Sequence, residues 1–171
     1  MRIKTVCLGN ICRSPAAESV LVAKLARAGL DDVEVSSAGT ADYHVGEPPH
    51  HESQAEGESR GYVFTSRAAR FEAEDFDGTD LILVMDDSNE DDVLSLARTP
   101  EDEAKVVRLG AFASDVTDGS GVRDVPDPWG RPREAYVAMY DQIEDAVDGL
   151  VTAIQEDRVG EVVAAQRVLR G

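Results

Sequence analysis

Apolar residues along this chain fall into two periods. Four short β-type runs stand out, at Ile3–Val6, Val33–Ser36, Leu81–Met85 and Lys105–Leu109. The third is continuously apolar, the pattern of a strand covered on both faces. Helical patterns separate them. Ser14-Pro15 opens one, with Ser favoured as N-cap and Pro as first helical residue. It runs to about Gly29, a natural stop. A polar helix is expected over His51–Arg60, ending at Gly61, with a further helical turn after Ser66. Ser88, with Asp91 three residues later, starts another. Tyr136, Met139, Tyr140, Ile143, Val147, Leu150, Val151 and Ile154 recur at three- and four-residue steps and mark the last long helix. Core packing accounts for that stripe. Val159–Gly171 reads as a helical extension. The order βαβαβαβα implies an α/β fold, a four-stranded parallel sheet with helices on both faces. Ligands in such sheets bind beyond the carboxyl ends of the strands. Cys7 follows the first strand directly, and Ala113–Pro128, rich in Asp, Gly, Ser and Pro, reads as one long loop of the functional kind.

Size and composition narrow the classes. At 171 residues the chain is expected to form one domain with a proper core. No apolar run reaches the roughly 18 residues of a membrane span. The apolar part of Met1–Cys7 is too short for a secretion signal and reads as the opening strand, so the expected location is the cytoplasm. The two cysteines, Cys7 and Cys12, cannot form a disulfide framework or a four-cysteine zinc site. His44 and the adjacent His50-His51 lack acids or cysteines at metal-ligand spacing and read as solvated loop residues, so neither metal nor cofactor is expected.

Charge changes the picture more. There are 34 acidic against 17 basic residues, a formal net of −17, and the only lysines are Lys4, Lys24 and Lys105. A uniformly acidic, lysine-poor surface suits a protein that stays soluble at high salt, where screening removes self-repulsion. It points to a salt-loving source. The same surface repels nucleic acid, whose phosphates need Lys and Arg. Any anion site must therefore be strongly cationic locally.

Such a site is written in Val6-Cys7-Leu8-Gly9-Asn10-Ile11-Cys12-Arg13-Ser14-Pro15. A thiol ends a strand, a tight loop follows, then an Arg and a hydroxyl at a helix start. Leu8, Gly9, Asn10, Ile11, Cys12, Arg13 and Ser14 can wrap one tetrahedral oxyanion with backbone N–H groups pointing inward. Gly9 and Asn10 permit the backbone angles this requires. The helix N-terminus adds partial positive charge, and Arg13 offers a planar fork for two oxygens. The same field favours a thiolate at Cys7, and Ser14 can donate to its sulfur. The loop is not a nucleotide-binding Gly-x4-Gly-Lys motif. A candidate acid, Asp127, lies in Val125-Pro126-Asp127-Pro128-Trp129, held stiff by two prolines and walled by Trp129.

Together these segments resemble the low-molecular-weight protein-tyrosine phosphatases. Cys7–Pro15 matches that family's N-terminal Cys-x5-Arg-Ser-Pro loop, and Asp127-Pro128-Trp129 its Asp-Pro-aromatic loop. Val35–Thr40, His44-Val45-Gly46 and Met85–Asn89 extend the likeness to about residue 155. The resemblance implies the flavodoxin-like phosphatase fold over residues 1–158, with 159–171 as a helical extension. It implies a metal-free, two-step reaction on a phosphotyrosine protein or peptide. Cys7 is then the nucleophile, Arg13 binds the oxyanion and Asp127 acts as acid and base. Cys12 would be the redox partner of Cys7, and Leu8, Tyr43 and Trp129 would line the substrate cleft. The family often carries Trp where Tyr43 stands, a second aromatic where Gly130 stands, and a supporting His where Ser66 stands.

Two other activities use this fold. Protein-arginine phosphatases share the Asp-Pro-aromatic-Gly of Asp127–Gly130 but typically carry Thr at the position of Ile11, so Ile11 favours phosphotyrosine. Arsenate reductases relay a disulfide through two further cysteines, and none follows Cys12. A non-catalytic phosphate-binding module is disfavoured by the complete set of Cys7, Arg13 and Asp127.

Overall fold

The computed structural model describes residues 1–116 and 121–170. Four parallel strands form one sheet in the order β2-β1-β3-β4: β1 (Arg2–Cys7), β2 (Glu34–Gly39), β3 (Leu81–Val84) and β4 (Val106–Arg108). Strand β1 pairs with both β2 and β3, which carries Cys7 to the carboxyl edge beside Gly39. Residues alternate between the two faces, as the strand pleat demands. Leu81, Leu83 and Val107 enter the larger core, with Ile3 and Cys7. Ile82, Val84 and Val106 enter a smaller one around Phe71 and Phe76.

Helices α1 (Arg13–Arg27), α2 (His51–Ser59), α5 (Arg133–Gln155) and α6 (Val159–Arg170) gather on the larger core. Helix α3 (Asp87–Leu94) closes the opposite face through Val93. A one-turn helix, α4 (Pro100–Glu103), and 3₁₀ turns at Ala73–Phe76 and Leu109–Phe112 complete the elements. In α5, Tyr136, Met139, Tyr140, Ile143, Val147, Leu150 and Val151 are buried, so the stripe faces the core. No helix among the described residues is long and apolar enough to cross a membrane.

Several local expectations are corrected. Ser14 is not the N-cap of α1. The helix starts at Arg13 after Cys12, and no side chain caps it. The Ser14 hydroxyl is spent on the adjacent site instead. The cap of α3 is Asp86, whose carboxylate accepts from Asn89 N, rather than Ser88. No helical turn follows Ser66. That stretch runs irregularly to a single bridge between Arg70 and Gly39, and the turn comes at Ala73–Phe76. There a capping box between Glu72 and Asp75 supplies the local signal. Part of the long loop after Ala113, residues 117–120, lies outside the described residues.

Candidate active site

The loop between β1 and α1 is shaped by where its carbonyls go. Cys7 O accepts from Thr40 N, Leu8 O from Ala41 N and Ile11 O from His50 N, at 2.8–2.9 Å. Cys12 O accepts from Ala16 N inside the helix and from the Ser53 hydroxyl. A trans peptide holds each N–H opposite the preceding C=O, and no cis bond occurs among the described residues. Tying these four carbonyls outward therefore turns the N–H groups of Leu8, Gly9, Cys12 and Arg13 into the hollow. The surrounding chain, not the loop alone, makes the cradle.

Asn10 locks that curve. Its φ is +56°, in the left-handed region where Asn is tolerated. Its side-chain nitrogen donates to Ser14 Oγ at 2.7 Å and to Ser37 Oγ at 3.0 Å, and its oxygen accepts from Ala69 N at 2.9 Å. Ser37 in turn donates to Glu18 at 2.6 Å. Gly39 packs against this turn so closely that a Cβ there would press on the Leu8 carbonyl and on Asn10.

Cys7 Sγ sits at the base, 2% exposed. It accepts from Asn10 N at 3.3 Å and lies 3.0 Å from Ser14 Oγ. Ser14 Oγ accepts from Asn10, and its own proton faces two acceptors, the sulfur at 3.0 Å and Ala38 O at 3.3 Å. Arg13, also 2% exposed, spans the site. Its Nη1 donates to Asp86 Oδ2 at 2.5 Å and to Val125 O at 3.0 Å, while Nη2 lies 3.7 Å from Asp127 Oδ2. Burial opposes the Arg13 charge, but Cys7, Asp86 and Asp127 outweigh it and hold the guanidinium above its ordinary range. Cys12 is the opposite case. Burial, then the charges of Cys7 and Asp127, push its thiol up to about 12.

Asp127 turns back on its own loop, its Oδ1 accepting from Trp129 N at 3.1 Å. A cavity of about 240 Å³ opens over the loop, lined by Cys7, Arg13 and Asp127 below and by Leu8, Tyr43 and Trp129 around the mouth. Tyr43 and Trp129 are 72% and 60% exposed, a rim rather than a buried wall. Every residue singled out in the sequence for catalysis or for the cleft lines this one cavity. Of the loop residues, Asn10 and Ser14 stand behind it as supports. His50 stacks between His51 and Tyr136 at the start of α2, away from the cavity lining.

Two members of the site lie in stretches that carry the resemblance but have no role assigned there, and His44, expected as a solvated loop residue, lines the cavity. Asp86 looked like one acid in an acidic patch, yet it is the charge partner of Arg13. Its position just after β3 is the available clue. His44 lines the cavity over Gly9, its ring fixed by Glu47 at 2.8 Å. Nothing in its spacing marks it.

Residues 2–160 match the family described as low molecular weight phosphotyrosine protein phosphatase. The chain belongs to this family. A low molecular weight protein-tyrosine-phosphatase of Streptomyces coelicolor is 36% identical over 93% of this chain and 96% of its own length. A Synechocystis protein named for the same family is 38% identical, covering 93% and 99%. Among solved structures, a protein tyrosine phosphatase from Entamoeba histolytica, with Hepes in its active site, superposes with a TM-score of 0.86 at 31% identity, covering 93% of this chain and 99% of that one. An arginine phosphatase from Drosophila superposes with a TM-score of 0.82 at 28% identity, covering 90% and 98%.

Proposed function

We propose that this phosphatase hydrolyses phosphotyrosine in proteins or peptides through a phosphocysteine intermediate. The supporting observation is the convergence of Cys7 Sγ, the Arg13 fork and the Asp127 carboxyl on one cavity rimmed by Tyr43 and Trp129. The loop N–H groups and Arg13 bind the three non-bridging phosphate oxygens and stabilise their charge in the transition state. The Cys7 thiolate attacks phosphorus in line, with Ser14 donating to the sulfur. The S–P bond forms as the P–O bond to the phenol breaks, and Asp127 protonates the departing oxygen. Water then attacks the phosphocysteine, with Asp127 taking its proton and Cys7 leaving as thiolate. Asp86 keeps Arg13 oriented between turnovers. The exposed rim suits an aromatic ring entering end-on.

The neighbouring arginine phosphatase makes phosphoarginine the competing substrate. Ile11, buried under the cavity, offers a guanidinium no polar partner and supports the phosphotyrosine reading. Once a peroxide has oxidised Cys7 to its sulfenic acid, Cys12 gives up its proton and attacks that sulfur, expelling water and closing a disulfide that a thiol reductant reopens. The strongly acidic surface supports work in a salt-rich cytoplasm, away from nucleic acid and anionic membranes.

Metal-free hydrolysis of p-nitrophenyl phosphate tests the reaction. Cys7→Ser abolishes it. Asp127→Ala lowers kcat by about 10²–10⁴-fold while phosphate still inhibits at wild-type concentrations. Full activity in either variant removes that residue from its role. Faster turnover of phosphoarginine than of phosphotyrosine peptides would reassign the substrate.

A further inference from the structure

Helix α6 lies almost wholly past residue 160, where the match to the family ends. Even so, it commits polar side chains to the interior. Gln166 is 1% exposed. Its amide nitrogen donates to Glu90 Oε1 at 2.7 Å, and its oxygen accepts from Arg108 N at 2.7 Å. Glu90, one turn along α3 from Asp86, is 3% exposed and has two cationic partners. Arg108 Nε lies 3.0 Å and Arg170 Nε 2.7 Å from its carboxylate. These are charge contacts rather than aligned hydrogen bonds. Arg170 also donates from Nη2 to Val106 O at 2.7 Å, tying the end of α6 to β4.

Arg108 faces two ways. Besides meeting Glu90, its Nη1 donates to Val122 O at 3.3 Å and to Asp124 Oδ1 at 3.0 Å. Asp124 stands three residues before Asp127. Val125 between them is pinned at both ends, its N–H to Met85 O at 2.8 Å and its carbonyl to Arg13 Nη1 at 3.0 Å. Arg108 thus joins α3 and the loop that carries Asp127 through its guanidinium, and α6 through its backbone N–H. A buried carboxylate with such partners is costly to assemble, and removing one of them leaves charge unpaired. An arrangement of that kind specifies geometry better than it adds stability.

We infer that Arg108 is a positioning residue for the Asp127 loop, and that α6 holds Arg108 in place through Gln166 and Arg170. The inference rests on the reading of Asp127 as proton donor. Displacing such a group by about 1 Å can cost about a hundredfold in rate, so a fixed loop base has a direct kinetic effect.

The test is kcat/KM on aryl phosphates from p-nitrophenyl to phenyl phosphate, because poorer leaving groups depend more on the donated proton. Arg108→Met keeps the aliphatic stem and removes the fork. It is expected to lose about tenfold or more on phenyl phosphate and less on p-nitrophenyl phosphate, with phosphate inhibition within about twofold of wild type. Arg108→Lys regains part of the loss. Gln166→Ala with Arg170→Ala reproduces the pattern at smaller amplitude, and decides the matter where Arg108→Met does not fold. In an Asp127→Ala background none of these adds a further loss. Equal losses on both substrates, a full extra loss on top of Asp127→Ala, or wild-type kinetics throughout overturns the inference and leaves the role of Asp127 standing. Full activity of Asp127→Ala on phenyl phosphate overturns the underlying reading, and the positioning role with it.

Discussion

Cys7 and Cys12 share one loop and are both buried, yet their polar surroundings differ. Cys7 Sγ receives a backbone N–H and faces a hydroxyl, so charge on it is met by donors. Cys12 is pushed up to about 12 by burial, then by the charges of Cys7 and Asp127, and neither Tyr136 nor Arg13 reverses this. It therefore keeps its proton at neutral pH, and only the thiolate is nucleophilic. Iodoacetamide at pH 8 should leave Cys12 unlabelled in the folded protein and label it in urea, as read by peptide mass spectrometry. Labelling of the folded protein there would contradict the assignment. The folded state holds this proton more tightly than the unfolded chain does. Its contribution to stability is complete below the ordinary thiol value of about 8.5 and is lost as pH rises toward about 12.

The loops at the carboxyl edge are held by the elements beneath them. Helix α3 serves two ends of the site, with Asp86 at its N-cap meeting Arg13 and Glu90 one turn on meeting Arg108. The turn after β4 supports the acid loop by proximity, since a Cβ on Gly110 would collide with the Arg123 carbonyl. That carbonyl is backbone and cannot swing aside. Gly110→Ala should cost about 1–3 kcal/mol, the usual range for overpacking, read as a lower urea midpoint. It should also lower kcat/KM on aryl phosphates, because Asp127 lies four residues along the displaced strand of chain. An unchanged midpoint would show that the loop rides free of β4.

Across the whole molecule, charge dominates. A net of −17 on 171 residues repels itself, and among the described residues arginine supplies most of the ion pairs that offset it, with Lys4 and Lys24 in two others. Arg60 alone meets Glu56, Asp141 and Glu144. Added salt screens repulsion between exposed charges over a Debye length of about 10 Å at 0.1 M and about 3 Å at 1 M. Surface pairs weaken too, but each contributes little. The urea midpoint should therefore rise from low salt to molar KCl, and a flat or falling series would count against adaptation to salt. Reading the chain alone recovered the sheet and its main helices, and picked out Cys7, Arg13 and Asp127, which the fold brings to one cavity, because these depend on short-range periods and on motifs contiguous along the backbone. The roles of Asp86 and His44 and the Glu90–Arg108–Gln166 cluster stayed hidden, as did the true cap of α3. Their meaning depends on partners dozens of residues away, and an acidic residue in an acidic sequence carries no mark of which cation it will meet. Only folding, by bringing β1, β3, β4 and α6 together, decided which charges stay at the surface and which are buried in pairs.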